Sequence, residues 1–277
     1  MHSPEKLRNI VSRVSKIATS NGIGNSYVVG GYPRSLIMDN VKEDVHDLDF
    51  ASVWPGEATK LGSMAASEMI NDLPEIYHRT GTIKFTYDDV DLEFQGTLAN
   101  IFDYQDAAIE MESLGIEVSP LTLNIYSRDF TINTLIQDLS DLKIYDITGY
   151  GYRDIKNKVI RTNLSAERVI KSNPLIIMRA IRFSFRYGFK IDRNLQNNMM
   201  NKGRFIEESL ESERLQIEVL KMMQCNYDET IRMFKKFGLS NLLYNDSYNI
   251  FEVIKDVDIE NFQGDIKDLI GDKNVIQ

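Results

Sequence analysis

The chain has 277 residues, 43% hydrophobic and 26% charged, with a formal net charge of −9, proportions of a globular protein with room for one large domain or two modest ones. Its single cysteine, Cys225, excludes an internal disulfide, and no Cys/His group has zinc-ligand spacing. No stretch approaches the roughly 18–20 apolar residues that cross a bilayer, and residues 1–10 lack an apolar signal-peptide run, so the expectation is a reducing, cytoplasmic setting without a membrane partner.

In chain order, residues 4–18 carry Leu7, Ile10, Val11, Val14 and Ile17 at helical spacing. A turn rich in Gly and Asn follows, then Ser26-Tyr27-Val28-Val29 reads as a short buried strand ended by Gly30-Gly31. Residues 33–38 open a helix, and Asp47-Leu48-Asp49-Phe50-Ala51 reads as a second strand. Residues 82–86 and 90–94, joined by Tyr87-Asp88-Asp89, form a hairpin pattern, and residues 131–138 have helical character. The second half reads as mostly helix, with segments at 174–187, 208–223 and 230–237. The composition shifts near residue 150.

Asp47 and Asp49 sit two apart on a predicted strand, so both carboxylates leave the same face. Such a pair repels itself unless a cation intervenes, and Mg²⁺ is bound by one or two carboxylates plus substrate phosphates. Alone, an Asp-x-Asp pair is more often a turn or a solvated edge than a metal site. Gly30-Gly31, between strand and helix, lets backbone N–H groups approach a phosphate, and Arg34 suits bidentate phosphate pairing. Asp91, with Glu93 on its face, lies on a later predicted strand and completes a candidate triad if that strand is adjacent. Between Arg153 and Lys190 the chain is strongly basic, a local field that suits phosphate despite the net negative charge, or a solvated helical face.

Together these residues resemble the class II CCA-adding enzyme and bacterial poly(A) polymerase family, from about residue 25 to about 242. Val29-Gly30-Gly31-Tyr32-Pro33-Arg34 followed by Asp47-Leu48-Asp49 is similar to the family's phosphate loop and metal-binding Asp-x-Asp, and Asp91 falls at the family's third carboxylate position. Arg128-Asp129-Phe130-Thr131-Ile132-Asn133 resembles the block that contacts the nucleotide sugar, which assigns that role to Arg128, Asp129 and Asn133. Asp146-Ile147-Thr148-Gly149 resembles the passage from head to neck. Arg179-Ala180-Ile181-Arg182-Phe183 resembles the neck's nucleotide-facing helix, with Glu213-Arg214 and Glu218 matching the motif that supports it.

The resemblance implies an α+β fold: a polymerase-beta-like nucleotidyltransferase head at 1–150, with a small mixed sheet and helices, then an all-helical neck at 151–225 and a short body at 226–277. It implies transfer of nucleotides from NTPs to an RNA 3′ end, foremost CCA addition or repair of tRNA, with Mg²⁺ held by Asp47, Asp49 and Asp91. Gly30, Gly31 and Arg34 would hold the triphosphate, Arg128, Asp129 and Asn133 the ribose region, and Asn173, Arg179 and Arg182 would face the nucleotide from the neck. The implied partners are RNA, ATP and CTP or other NTPs.

The departures fall at the base-reading stretch. Where the family reads Glu-Asp-x-x-Arg, this chain has Ser172-Asn173-Pro174-Leu175-Ile176. Asn173 keeps donors and acceptors, but Ile176 keeps neither, so altered or relaxed base choice is expected. Ser127 and Ser35 replace an Arg and an Asp of the family pattern. Only 40 residues follow Phe237, so the tRNA-gripping part reads as reduced, or an oligomer or partner supplies it. Two alternatives stay open: poly(A) or single-nucleotide addition, and a catalytically silent RNA-binding regulator on the same fold. Transfer onto a protein or small molecule is a third, which the basic segment disfavours.

Overall fold

The computed structural model describes residues 2–38, 45–96, 105–245, 248–264 and 266–270, so the end of the expected body, 271–277, lies outside the described residues. The chain divides into two compact units, Met1–Asn157 and Lys158–Gln277.

The first unit contains α1 (Pro4–Ser20), β1 (Ser26–Val29), α2 (Gly31–Ile37), β2 (Asp47–Ser52), α3 (Pro55–Met69), β3 (Glu75–Tyr77), β4 (Thr82–Tyr87) and β5 (Val90–Gly96). It continues with α4 (Gln105–Ser113), α5 (Pro120–Tyr126), β6 (Leu135–Asp138), β7 (Ile144–Asp146) and α6 (Gly151–Asn157). Ser3 caps α1 by accepting from the Lys6 N–H at 3.1 Å, and Pro4 stands at the first helical position.

The strands form one sheet in the order β3-β4-β5-β2-β1-β6-β7. All its pairings are antiparallel except β2 with β5, which is parallel. The period-two alternation in β2 and β5 divides the sheet into two faces. Leu48, Phe50, Leu92 and Phe94 point to one face and join Leu7, Val14 and Leu61 of α1 and α3 in the main core. Phe50 and Phe94 stack at 4.6 Å between ring centroids. On the other face a smaller core of Tyr27, Val29, Ala51, Ile125 and Ile136 seats α5 over β1, the end of β2 and β6.

Residues 131–138 do not form the expected helix. Thr131–Asn133 is one 3₁₀ turn, and Leu135–Asp138 is a strand between β1 and β7. Leu135, Ile136 and Gln137 are all buried, so the segment shows no alternation and its short apolar run is ambiguous by period. Thr131 Oγ1 donates to Asp154 Oδ2 at 2.7 Å, which ties this turn to α6 through a fully buried carboxylate.

The second unit contains β8 (Val159–Ile160), α7 (Ala166–Ser172), α8 (Leu175–Tyr187), β9 (Lys190–Ile191), α9 (Arg193–Met199), α10 (Gly203–Ser209), α11 (Ser212–Cys225) and α12 (Tyr227–Phe237). Among the described residues it is helical apart from two short ladders, β8 with β9 and a pair at Tyr244–Asn245 and Tyr248–Asn249. The helix expected at 208–223 is two helices, broken at Leu210 and Glu211. Gly188 and Gly238 adopt φ values of 64° and 67° as the left-handed caps that end α8 and α12.

Candidate active site

The open half of the second sheet face carries a grid of carboxylates. In the parallel register Asp47 lies opposite Asp91 and Asp49 opposite Glu93, on strands about 4.8 Å apart. Lys84 on β4 lies opposite Glu93 and pairs with it, Nζ to Oε2 at 2.7 Å. Thr86 Oγ1 donates to Asp91 Oδ1 at 2.6 Å. Asp47, Asp49, Asp91, Glu93 and Lys84 line one cavity of about 600 Å³.

Asp49 is perturbed by its surroundings. Burial raises its carboxyl, the neighbouring Asp47 and Glu93 raise it further, and Arg128 and Lys84 pull it down, leaving it at about 6. A buried carboxylate facing two others is stabilised by a cation. Among the described residues no three His, Cys, Asp or Glu side chains converge into a closed metal site. The donors present fit a hard cation of the Mg²⁺ kind, which takes one or two carboxylates and keeps further positions for phosphate oxygen and water.

The glycine turn meets Asp49 from the β1 side. Gly30 has φ 77° and ψ −132°, a conformation that side chains disfavour, and precedes the first turn of α2. A Cβ at Gly30 would lie 2.7 Å from Asp49 Oδ2, so the backbone approaches the carboxylate as closely as a glycine permits. Arg34, three residues into α2, is 5% exposed and donates to Asn133 Oδ1. Asn133 Nδ2 in turn donates to Asp129 Oδ1 at 2.7 Å, and the same oxygen accepts from the Phe130 N–H at 2.8 Å. Arg128 Nη2 donates to Asn124 Oδ1 at 2.9 Å. The structure thus joins Arg34, Asp129 and Asn133, 99 residues apart between Arg34 and Asn133, in one network.

The expected site residues of the second unit behave differently. Asn173 is exposed, and its backbone closes α7. Ile176 is 2% exposed in the core of that unit. Arg182 pairs with Glu218 of α11, Nε to Oε2 at 3.2 Å, and its guanidinium lies 5.0 Å from the Phe183 ring centroid. Arg179 is half-buried and lies 5.8 Å from the same centroid. Arg182 therefore braces α8 against α11, the support that Glu218 was expected to give.

Sequence reasoning did not single out Lys84 or Tyr77 at this site. Lys84 appeared only as part of a hairpin, and its partnership with Glu93 depends on a cross-strand register that no local pattern states.

Comparison with known proteins follows the same division. Residues 26–161 match the family model described as the poly A polymerase head domain. A tRNA nucleotidyltransferase of Schizosaccharomyces pombe is 30% identical over 188 residues, 67% of this chain and 36% of that protein. A CCA-adding enzyme of Oceanobacillus iheyensis is 31% identical over 206 residues, 74% of this chain and 47% of its own length. A CCA-adding enzyme of Staphylococcus aureus is 28% identical over 262 residues, 92% of this chain and 60% of its own. The chain thus spans between about a third and three fifths of the length of these curated relatives. Among solved structures, a CCA-adding enzyme in complex with ATP superposes with a TM-score of 0.70 at 23% identity, over 89% of this chain and 54% of that one. The Thermotoga maritima CCA-adding enzyme complexed with tRNA gives 0.68 at 23% identity, over 89% and 54%. The chain thus shares the fold of these solved CCA-adding enzymes, and its residues 26–161 belong to the poly A polymerase head domain family.

Proposed function

We propose that the chain is a nucleotidyltransferase that adds nucleotides from NTPs to an RNA 3′ end, with CCA addition or repair of tRNA as its activity in a cytoplasmic setting. The observation that carries the reading is the carboxylate grid of Asp47, Asp49, Asp91 and Glu93 lying directly against the Gly30 turn. The names of the relatives, which bind tRNA, ATP and CTP, support the same substrates.

Asp47 and Asp49, with Asp91 opposite, are the residues that would hold divalent cations, and Mg²⁺ suits their oxygen donors. The cations supply charge neutralisation on the transferring phosphoryl group. Backbone N–H groups at Gly30 and Gly31 and the Arg34 guanidinium hold the triphosphate. Asp129 and Asn133, locked to Arg34, orient the ribose, and Arg128 adds positive charge close to Asp49. The acceptor 3′-oxygen bonds to the α-phosphorus as the bond to pyrophosphate breaks. Most of the acceleration on this reading is positioning and electrostatics. In the second unit Asn173 and Arg179 are the candidates for nucleotide contact, within a neck at 151–225 followed by a body at 226–277.

A second reading, poly(A) or single-nucleotide addition, is favoured by one observation. Ile176, at the family's base-reading Arg position, is packed in a core and offers no hydrogen bond. The test is incubation with a divalent cation, each NTP separately, and tRNA shortened stepwise at its 3′ end. Label incorporation is expected in the wild type. Asp47→Ala and Asp49→Ala should lose it by on the order of 10³-fold while the fold persists. Ordered C-C-A synthesis supports the tRNA reading, and indifferent or A-only extension supports the second. Undiminished incorporation by either variant overturns the site.

A further inference from the structure

The wall of the cavity farthest from the glycine turn carries side chains that the reaction so far leaves unused. Tyr77, on edge strand β3, is 48% exposed and Leu73, just before it, is 95% exposed. Both line the same cavity as Asp47 and Asp49. Lys84 Nζ lies 5.5 Å from the centre of the Tyr77 ring and also holds Glu93. A continuous path of contacts therefore runs from the carboxylate grid through Glu93 and Lys84 to an exposed aromatic ring.

The sheet order gives this wall a direction. β1, with the Gly30 turn, flanks β2 on one side, while β5, β4 and β3 lie on the other. In phosphoryl transfer the attacking and leaving oxygens are roughly in line. If pyrophosphate departs toward Gly30, the attacking hydroxyl approaches from the β5–β3 side. Among the described residues lining that side, Lys84 is the sole cation, beside Asp72, Glu75, Asp91 and Glu93. Such a surface does not grip an RNA backbone by charge. It can grip bases, because stacking on an aromatic ring is indifferent to the acidic surroundings and to base identity.

We propose that Tyr77, with Lys84 over its ring, is the stacking platform for the terminal nucleotides of the single-stranded RNA acceptor. This rests on the nucleotidyltransferase reading of the same cleft. Leu73 extends the apolar surface, and Lys84 meets the one phosphate that lies nearest the grid. The platform sets where the 3′-hydroxyl stands relative to Asp49 and leaves the NTP to the glycine turn and the Arg34 network.

The test is steady-state incorporation of labelled ATP and of labelled CTP into a tRNA lacking its 3′ terminus, for the wild type, Tyr77→Ala and Tyr77→Phe. Tyr77→Ala should raise KM for the RNA roughly tenfold, the scale of one lost base–ring stack, with KM for the NTP unmoved. Tyr77→Phe, which keeps the ring, should restore the RNA KM. Tyr77 lies exposed on an edge strand, so an unchanged melting temperature separates lost stacking from lost fold. An active wild type whose Tyr77→Ala variant keeps its RNA KM, or loses NTP affinity instead, overturns the platform and leaves the proposed reaction standing. A wild type that incorporates nothing into any RNA overturns both.

Discussion

At the scale of single residues, Asp49 concentrates the site's electrostatics. Its folded carboxyl sits at about 6 against an ordinary 3.8. Between those values the folded chain holds a proton that the unfolded chain has lost, so stability falls as pH rises through this window. Above about 6 the folded protein carries the full penalty of an ionised Asp49. In metal-free buffer at neutral pH, Asp49→Asn should therefore be more stable than the wild type by about 1–3 kcal/mol. The gap should close below about pH 4, where both states are protonated. Denaturant melts of the two proteins across about pH 3.5–7.5, a range that brackets the window, measure it. Adding Mg²⁺ should reverse the order, raising the melting temperature of the wild type but not of the variant. A gap independent of pH would mean that Asp49 is not strained by its neighbours. The residues of this grid were legible in the sequence because Asp47 and Asp49 alternate with Leu48 and Phe50. The Lys84–Glu93 pair and the Tyr77 wall were not, since their partners lie on other strands.

At the scale of elements, the turn between β1 and α2 is the most constrained piece of backbone near the site. Gly30 needs both a positive φ and the absence of a Cβ, and the second requirement comes from Asp49 Oδ2 at 2.7 Å. Gly30→Ala should cost about 1–3 kcal/mol of stability and, by displacing Asp49, depress transfer well beyond what the stability loss explains. Thermal melting with parallel incorporation assays checks this, and a stable, fully active variant would show that the turn has slack. The same scale explains which elements the sequence revealed. The strands β2, β4 and β5 each bury one face, so their alternation was visible. β6 is buried on both faces and was read as helix. β3 is exposed throughout and offered no apolar period at all. α3 hides its pattern behind Ala58, Gly62, Ala65 and Ala66, and Gly62 is there because a Cβ would meet Ile83 Cβ at 2.7 Å. The helical second half was legible in its periodicity, apart from the break at Leu210 and Glu211.

At the scale of the whole molecule, the carboxylate grid, the glycine turn and the Arg34–Asn133–Asp129 network all belong to the first unit, residues 1–157. That unit has its own core on each face of its sheet. A chain of residues 1–157 should therefore unfold cooperatively and keep a Mg²⁺-dependent rise in melting temperature, while losing most RNA extension. Calorimetry with and without the cation, beside incorporation assays, tests it. A fragment that is unfolded, or that gains nothing from the cation, would show that the second unit is needed to assemble the site.

The parallel pairing of β2 with β5 has a consequence for how this protein can change over time. One register decides both what is packed and what is presented: Leu48 and Leu92 inward, Asp47 and Asp91 outward. Substitutions can adjust either function separately, but a single-codon insertion or deletion inside β2 or β5 would exchange the two sets at once and drive acids into the hydrocarbon interior. Length variation in this half of the molecule is thereby confined to the connections between strands.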